Sequence, residues 1–456
     1  MQVQRKNNKT VLMISYPFPP LGAAGALRPY RFAKHLPKFS WNPIVLTINE
    51  RKDAPRDYSL LGSLPKEVAL YRTRTIDPYL FYKASLQKGG NRRINGKIDK
   101  TPRGKDADSV YRNFLGSVKK GIRRSILSLI TTPDHQIFWF PFAVWSGASL
   151  IFRHNIDVLL TTSPPHSAHL VGLVLKKIFR KPWIADFRDP WVENFTLRNG
   201  LPSWQYTLER HLESKVLAGA DKVIANTATN RRSLINRYPQ LDILKFVSIP
   251  NGFETLAIDR RTRFEKFTIT HLGIFYPMVG PYFFFDALNK WLEDNGQQLR
   301  RKVQVLLIGE QNDETRKLIK RLSLGDVVRF IQRLPQKDAL ELTCSSDMLL
   351  VSLGFDQRNA GWIPMKLYDY LYCKKPILAF LPRGEAANII RETSSGYVVG
   401  SENFEETINI LNKGYRKKFG SHVGKTDCEF NTEQIGRFNV EELTKCLATL
   451  MTEISR

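Results

Sequence analysis

Short apolar runs recur along the chain at the spacing of an alternating α/β protein. Residues 11–15, 42–48, 156–161 and 183–185 are rich in Val, Ile and Leu, and Pro, Gly or Asp follows closely. Such runs predict parallel strands buried on both faces. Between them lie longer stretches of helical periodicity: one with Leu27, Phe32, Ala33 and Leu36, one ending at Phe179, and an amphipathic one around 204–217. ADKVIANT and FVSIPNGFE add two more strands. The opening order of strand, glycine loop (PPLGAAG), helix and strand predicts a doubly wound domain over 1–253, whose ligands sit at the carboxyl ends of the strands. Gly22 and Gly25 then line a cleft or simply make a tight turn.

A charged stretch without periodicity, 254–266, reads as an interdomain linker. Beyond it the alternation resumes, with strands predicted at 267–272, 303–308, 327–331, 348–351 and 377–380. A second doubly wound domain over 267–429 follows, facing the first across a cleft. The tail, 430–456, carries Leu443, Leu447, Leu450 and Met451 at helical spacing, so it can pack back on the N-terminal domain.

The stretch GWIPMKLYDYLYCKKP, 361–376, predicts a helix starting near Met365 and ending before a buried strand. Pro364 suits a first turn, and Lys374, Lys375 and Pro376 supply cations and a stop. The first amides of such a helix are unpaired and carry the positive end of its dipole, which suits a diphosphate, with Lys366 beside it. Lys366, Asp369 and Tyr370 share a face at i, i+3, i+4, which serves a ligand or an ordinary salt-bridged helix.

Charge changes this picture. With 69 Lys and Arg against 43 Asp and Glu, the formal net charge of +26 exceeds what solubility needs and points to an anionic partner. A Lys-, Arg- and Gly-rich insertion over 83–124 precedes an uncharged segment, 136–152, that is too short for a spanning helix. Its aromatics Phe138, Trp139, Phe140, Phe142 and Trp145, beside so many cations, predict an interfacial segment on an anionic membrane surface; the same pattern also fits a charged loop beside a core helix. No nucleic-acid reader module is present, so nucleic acid is not an expected partner. The four cysteines lack CxxC or Cys/His metal spacing and read as reduced thiols.

Two α/β domains joined by PNGFE, with PPLGAAG near the start, then TSPP, DFRDPW, ADKVIANT, LLIGE and PMKLYDYLYCKKPIL in that order, resemble the GT-B fold glycosyltransferases of the retaining family 4 type. The resemblance spans nearly the whole chain. It implies a GT-B fold of two Rossmann-like domains, a nucleotide-sugar donor on the C-terminal one, an acceptor on the N-terminal one, and no metal or other cofactor. The donor positions implied are Gly22, Gly25, Gly273, Gly280, Lys366, Leu367 and Asp369.

The family's pair of acids maps onto Gly361 and Asp369, so the first is missing. Its Arg and Lys after the first donor-domain strand map onto Ile274 and Val279, leaving Lys366 as the expected phosphate contact. Ser163 stands at the family's acceptor-side His position, with His166 close by. His166, Asp186 and Asp369 are the expected catalytic groups, and Arg188 and Asp189 the acceptor-side ones. His166 also fits a loop histidine bonded to backbone, and Arg188 an ion pair that shapes its loop. The function implied is sugar transfer to a lipid-linked or surface polysaccharide acceptor by a cytoplasmic protein bound peripherally to the inner membrane. A nucleotide-sugar epimerase and a catalytically silent sugar-nucleotide binding protein are the alternatives.

Overall fold

The computed structural model describes residues 8–456 except 23, 51–55, 77–131, 194–201, 259–261, 276–281, 402 and 421–427. The insertion at 83–124, Val279 and Gly280 therefore lie outside the described residues.

Two wholly parallel sheets organise the chain. The first runs β3-β2-β1-β4-β5-β6-β7 and the second β10-β9-β8-β11-β12-β13. In the first half these are β1 (Lys9–Ile14), β2 (Trp41–Ile48), β3 (Ala69–Thr73), β4 (Val158–Ser163), β5 (Trp183–Phe187), β6 (Lys222–Ala225) and β7 (Phe246–Ser248). In the second they are β8 (Phe267–Leu272), β9 (Val303–Ile308), β10 (Val328–Ile331), β11 (Met348–Ser352), β12 (Ile377–Phe380) and β13 (Gly396–Val399). Both halves thus take the doubly wound form read from the sequence. In each sheet the strand order reverses once, between β1 and β4 and between β8 and β11, the switch points at which doubly wound folds place ligands.

The helices of the first half are α1 (Ala24–His35), α2 (Phe140–Arg153), α3 (Ser167–Phe179), α4 (Ser203–Gly219) and α5 (Ala228–Arg237). Those of the second are α6 (Tyr282–Arg301), α7 (Asp313–Arg321), α8 (Gln336–Ser345), α9 (Met365–Cys373), α10 (Glu385–Glu392) and α11 (Phe404–Phe419), followed by α12 (Thr432–Gly436) and α13 (Val440–Ile454). The last helix crosses back. Leu443, Leu447, Ala448, Leu450 and Met451 join Val11, Met13, Phe32 and Ile224 in one buried cluster of the N-terminal half. Backbone bonds between Phe253 and Phe438, and between Val440 and Phe253, tie this return to the outward crossing.

Two expectations need correction. The aromatic run is not interfacial as a whole: Trp139 is fully buried, packed edge-on against Tyr16 at 5.4 Å, and Phe140 rests on the same core. The reason is helical phase, because α2 turns Ala143, Gly147, Leu150 and Ile151 inward and leaves Trp145 outside. The thiols Cys344 and Cys373 also do not stay apart. Helices α8 and α9 place their Cα atoms 4.7 Å apart, and the two are joined as a disulfide. Among the described residues no helix is long and apolar enough to cross a membrane.

Candidate active site

The C-terminal wall of the cleft is built on α9. Pro364 holds an extended conformation at its N-cap, and Lys374 ends it in the left-handed region at φ 50°. Leu367, Tyr368, Tyr370 and Leu371 are buried, which pins the helix and leaves Lys366 and Asp369 toward the cleft. Lys366 Nζ donates to His271 Nε2 at 2.9 Å, at the end of β8. The other ring nitrogen, Nδ1, donates to Leu350 O at 2.9 Å, so the hydrogen-bond pattern fixes a neutral tautomer with Nε2 as acceptor. The ring stacks on Phe275 with centroids 3.6 Å apart. Burial, reinforced by the Lys366 charge, holds the His271 pKa well below its usual range, and burial pushes Lys366 down to about 7.

Above this pair runs the loop after β8. Gly273 takes φ +89°, a conformation that favours glycine, and a Cβ there would be in van der Waals contact with Lys366 Nζ at 3.5 Å. Gln311 Nε2 braces the loop by donating to Gly273 O (3.0 Å) and Gly309 O (3.2 Å), while its buried Oε1 has no partner among the described residues. Ile274, at the position onto which the resemblance maps the family's Arg, is half exposed and apolar.

Two residues of this wall differ from expectation and one does not. Tyr370 does not face a ligand: its hydroxyl donates to Leu350 O (3.0 Å) and accepts from Leu272 N (2.9 Å), bracing α9 against β8 and β11. Leu367 is in the core and its amide donates to Pro364 O at 2.9 Å, so neither its side chain nor its N–H is free for a donor. Asp369 does reach the cleft, where burial raises its carboxyl to about 6 against the pull of Arg31 across the cleft at 4.0 Å.

The N-terminal wall is tied together more tightly. Arg28 of α1 grips Asp186 with two bonds, Nε to Oδ2 at 2.9 Å and Nη2 to Oδ1 at 2.8 Å, and Thr162 Oγ1 adds a third at 2.9 Å. The same guanidinium donates to the carbonyls of Ile249 and Pro250. Asp186 is 1% exposed, and with both oxygens occupied it is a brace and not the catalytic group expected. Arg188 likewise serves the scaffold, donating to Ser163 O, Pro164 O and Gly25 O and so joining the loops after β1, β4 and β5. A Cβ at Gly25 would lie 2.9 Å from its Nη1, so a larger residue there would have to displace the guanidinium. Gly22 O accepts from Arg333 Nη2 of the opposite half at 2.6 Å. Asp189 is exposed beyond this brace.

His166 begins α3, only 4% exposed, and stacks on Trp191 at 4.8 Å and 6°. Burial, helped by His169 and Arg188, keeps its pKa well below the usual value. Its Nδ1 lacks a partner among the described residues, as do Ser163 Oγ, Ser167 Oγ, His169 Nε2 and Trp191 Nε1. The β4–α3 loop is thus rich in buried polar atoms able to take water or substrate hydroxyls.

At Gly361 the halves meet. A Cβ there would lie 3.3 Å from Thr229 Cγ2, and the Thr229 amide, in the first turn of α5, donates to Glu385 Oε1 at 2.6 Å. Glu385 N in turn donates to Ala360 O at 2.8 Å. A carboxylate from α10 thus stands beside the segment that lacks the family's first acid. Thr229 and Glu385 border a cavity of about 810 Å³ between the halves. Sequence reasoning did not single out His271, Gln311, Arg28, Arg31 or Glu385; of these only His271, closing a strand before a glycine, stood where doubly wound folds place function.

Residues 102–255 match the model of Glycosyltransferase Family 4, and residues 257–419 that of Glycosyl transferases group 1. None of the curated proteins matches the chain by sequence. Among solved structures, HepE of Anabaena in complex with UDP is 15% identical, with a TM-score of 0.59 over 97% of this chain and 100% of its own. A glycosyltransferase from Rickettsia africae is 16% identical, with a TM-score of 0.61 over 98% and 99%. WaaG, a glycosyltransferase involved in lipopolysaccharide biosynthesis, is 13% identical, with a TM-score of 0.52 over 97% and 99%. At such identities the likeness is one of fold.

Proposed function

We propose, for a chain that belongs to the GT-B fold glycosyltransferases, that its cleft moves a sugar from a nucleotide-sugar donor to a lipid-linked or surface polysaccharide acceptor at the cytoplasmic membrane face. The observation that carries the donor assignment is Lys366, a cation whose hydrogen-bond partner is the neutral His271 and not a carboxylate. Such a group lowers its free energy by taking an anion, and the diphosphate of a nucleotide sugar supplies one. HepE binds UDP and UDP-glucose in its crystals, which supports that class of donor.

In this reading the Lys366 side chain and the first two amides of α9, those of Met365 and Lys366, hold the diphosphate, His271 positions Lys366, and Asp369 accepts a donor hydroxyl. Transfer retains configuration. The bond from the anomeric carbon to phosphate oxygen breaks while the acceptor oxygen bonds to that carbon on the same face, and the acceptor proton passes to the leaving phosphate. Charge on the leaving group is met by Lys366 and the helix, so the reaction is metal-independent. The excess of cations over acids, +26 formally, supports an acceptor on an anionic membrane, with the protein bound peripherally.

The test incubates purified protein with labelled nucleotide sugars, with and without lipid extract. Release of nucleotide only with the extract supports transfer to a lipid-linked acceptor; release or interconversion without it overturns that acceptor. Lys366→Ala is expected to weaken donor binding by about 10- to 100-fold, and an unchanged affinity would remove Lys366 from the donor site.

A further inference from the structure

Helix α2 has two faces that do not share a purpose. Its inner face packs so closely that a Cβ at Gly147 would come within 2.7 Å of Leu175 Cδ1 on α3, locking the two helices into one platform. Its outer face carries Trp145 and Phe152, each 81% exposed and seven residues apart, hence two turns along one line of the helix. Phe152 meets Phe179 of α3 edge-on at 5.1 Å, and the neighbouring Ile178 is 60% exposed. Large aromatics left this open on a rigid surface have no role in the N-terminal core.

Along α2 and α3 themselves the charges have one sign, and Asp221, an acid from another element, is paired with Lys176 at 2.7 Å. Arg153 follows Phe152, and Lys177 and Arg180 flank Ile178 and Phe179, all exposed. Between residues 135 and 181 the only acid is Asp157, whose carboxylate is engaged by the Thr10 amide at 2.7 Å. A second copy of the chain docking here by two-fold symmetry would set cations against cations. Anionic lipid meets both features, because its headgroups neutralise Arg and Lys while Trp and Phe enter the acyl boundary.

We infer that the outer face of α2 and the end of α3, with Trp145, Phe152 and Ile178 ringed by Arg153, Lys177 and Arg180, is the surface by which this protein docks on an anionic bilayer. The inference rests on the membrane-bound acceptor proposed above and names the part of the molecule that reaches it. Docking through this face orients the N-terminal half, with its β4–α3 loop, relative to the lipid.

The experiment uses the full chain with vesicles of phosphatidylcholine, with or without phosphatidylglycerol. Wild type is expected to float with the anionic vesicles and not with the neutral ones. Trp145→Ser with Phe152→Ser should lower that partition by about tenfold or more, and Arg153→Gln with Lys177→Gln and Arg180→Gln should abolish the preference for phosphatidylglycerol. UDP-sugar binding and melting temperature should stay at the wild-type value in both variants, since the altered side chains are exposed. Flotation of the variants equal to wild type, absence of wild-type flotation, or a wild-type dimer that the Ser variant dissociates would each overturn the inference. Lys366→Ala separates the two claims: it should float normally while losing donor binding. If detergent-solubilised lipid acceptor is still glycosylated when flotation fails, the docking face is wrong and the activity stands. If flotation behaves as expected but no lipid extract is glycosylated, the activity proposal is the one that falls.

Discussion

Arg28 and Lys366 are both cations held beside the cleft, and their surroundings could hardly differ more. Arg28 spends its guanidinium on a bidentate carboxylate and two carbonyls inside its own half. Lys366 has a neutral imidazole and the backbone of Gly273 beside it. A cation whose partners belong to the fold stabilises the fold, whereas one left without an acid is available to a ligand. The Arg28 side of the cleft is therefore a brace, and the Lys366 side has the character of a site that the donor diphosphate proposed above would complete.

The comparison can be broken most forcefully at Arg28. Arg28→Ala strands Asp186 in a buried position, and removal of one partner from such a pair costs about 3–5 kcal/mol. A chemical denaturation midpoint near that of wild type would show that the brace is not structural. Next comes Lys366→Met, expected to cost about 1.5–3 kcal/mol of donor binding with no loss of melting temperature, because it removes a desolvated charge. Loss of both together would mean that Lys366 belongs to the fold after all.

The third way is titration. Burial holds Lys366 near 7, and only its cationic form attracts the diphosphate, whose two phosphates are esterified in a nucleotide sugar. Donor affinity should then be full below pH 7 and fall as pH rises through 7, with binding near neutrality accompanied by proton uptake measurable by calorimetry in buffers of different ionisation enthalpy. A flat profile between pH 6 and 9, or proton release, contradicts it. The smallest effects are expected at two supporting sites. Tyr370→Phe takes from the Leu272 amide its Tyr370 acceptor, while the Leu350 carbonyl keeps its bond from His271, and should cost about 1 kcal/mol in stability. Gly361→Ala asks Thr229 to yield only slightly, so a shift within about 1 kcal/mol is expected; a larger one would mark the contact between α5 and this loop as rigid.

What could be read from the sequence follows from which information is local. Strands such as 303–308 and 377–380 are buried on both faces, so they stand out as apolar runs. The edge strands β3, ALYRT, and β13, GYVV, are short and half open to solvent, and no such run marks them. The start of α9 was visible because Pro364 and the Lys-Lys-Pro stop are themselves local signals. Asp186 looked reactive because it ends a strand, yet its role is set by Arg28, 158 positions away in sequence. His271 and Arg31 were missed for the same reason: each matters through a partner on another element. Trp139 and Trp145 lie six residues apart in one aromatic run, and only the phase of α2 decides that one is core and the other surface.

The return of α13 bears on how the protein is made. The cluster that holds Val11 and Met13 is completed by Leu447 and Met451, more than four hundred residues later. During synthesis the first half leaves the ribosome long before its last buried side chains exist, so it must wait as an open form until the second half has emerged. A chain truncated before residue 440 should expose that surface to protease even though its first sheet has every strand. The core around β1 is thus closed by a helix more than four hundred residues away in sequence.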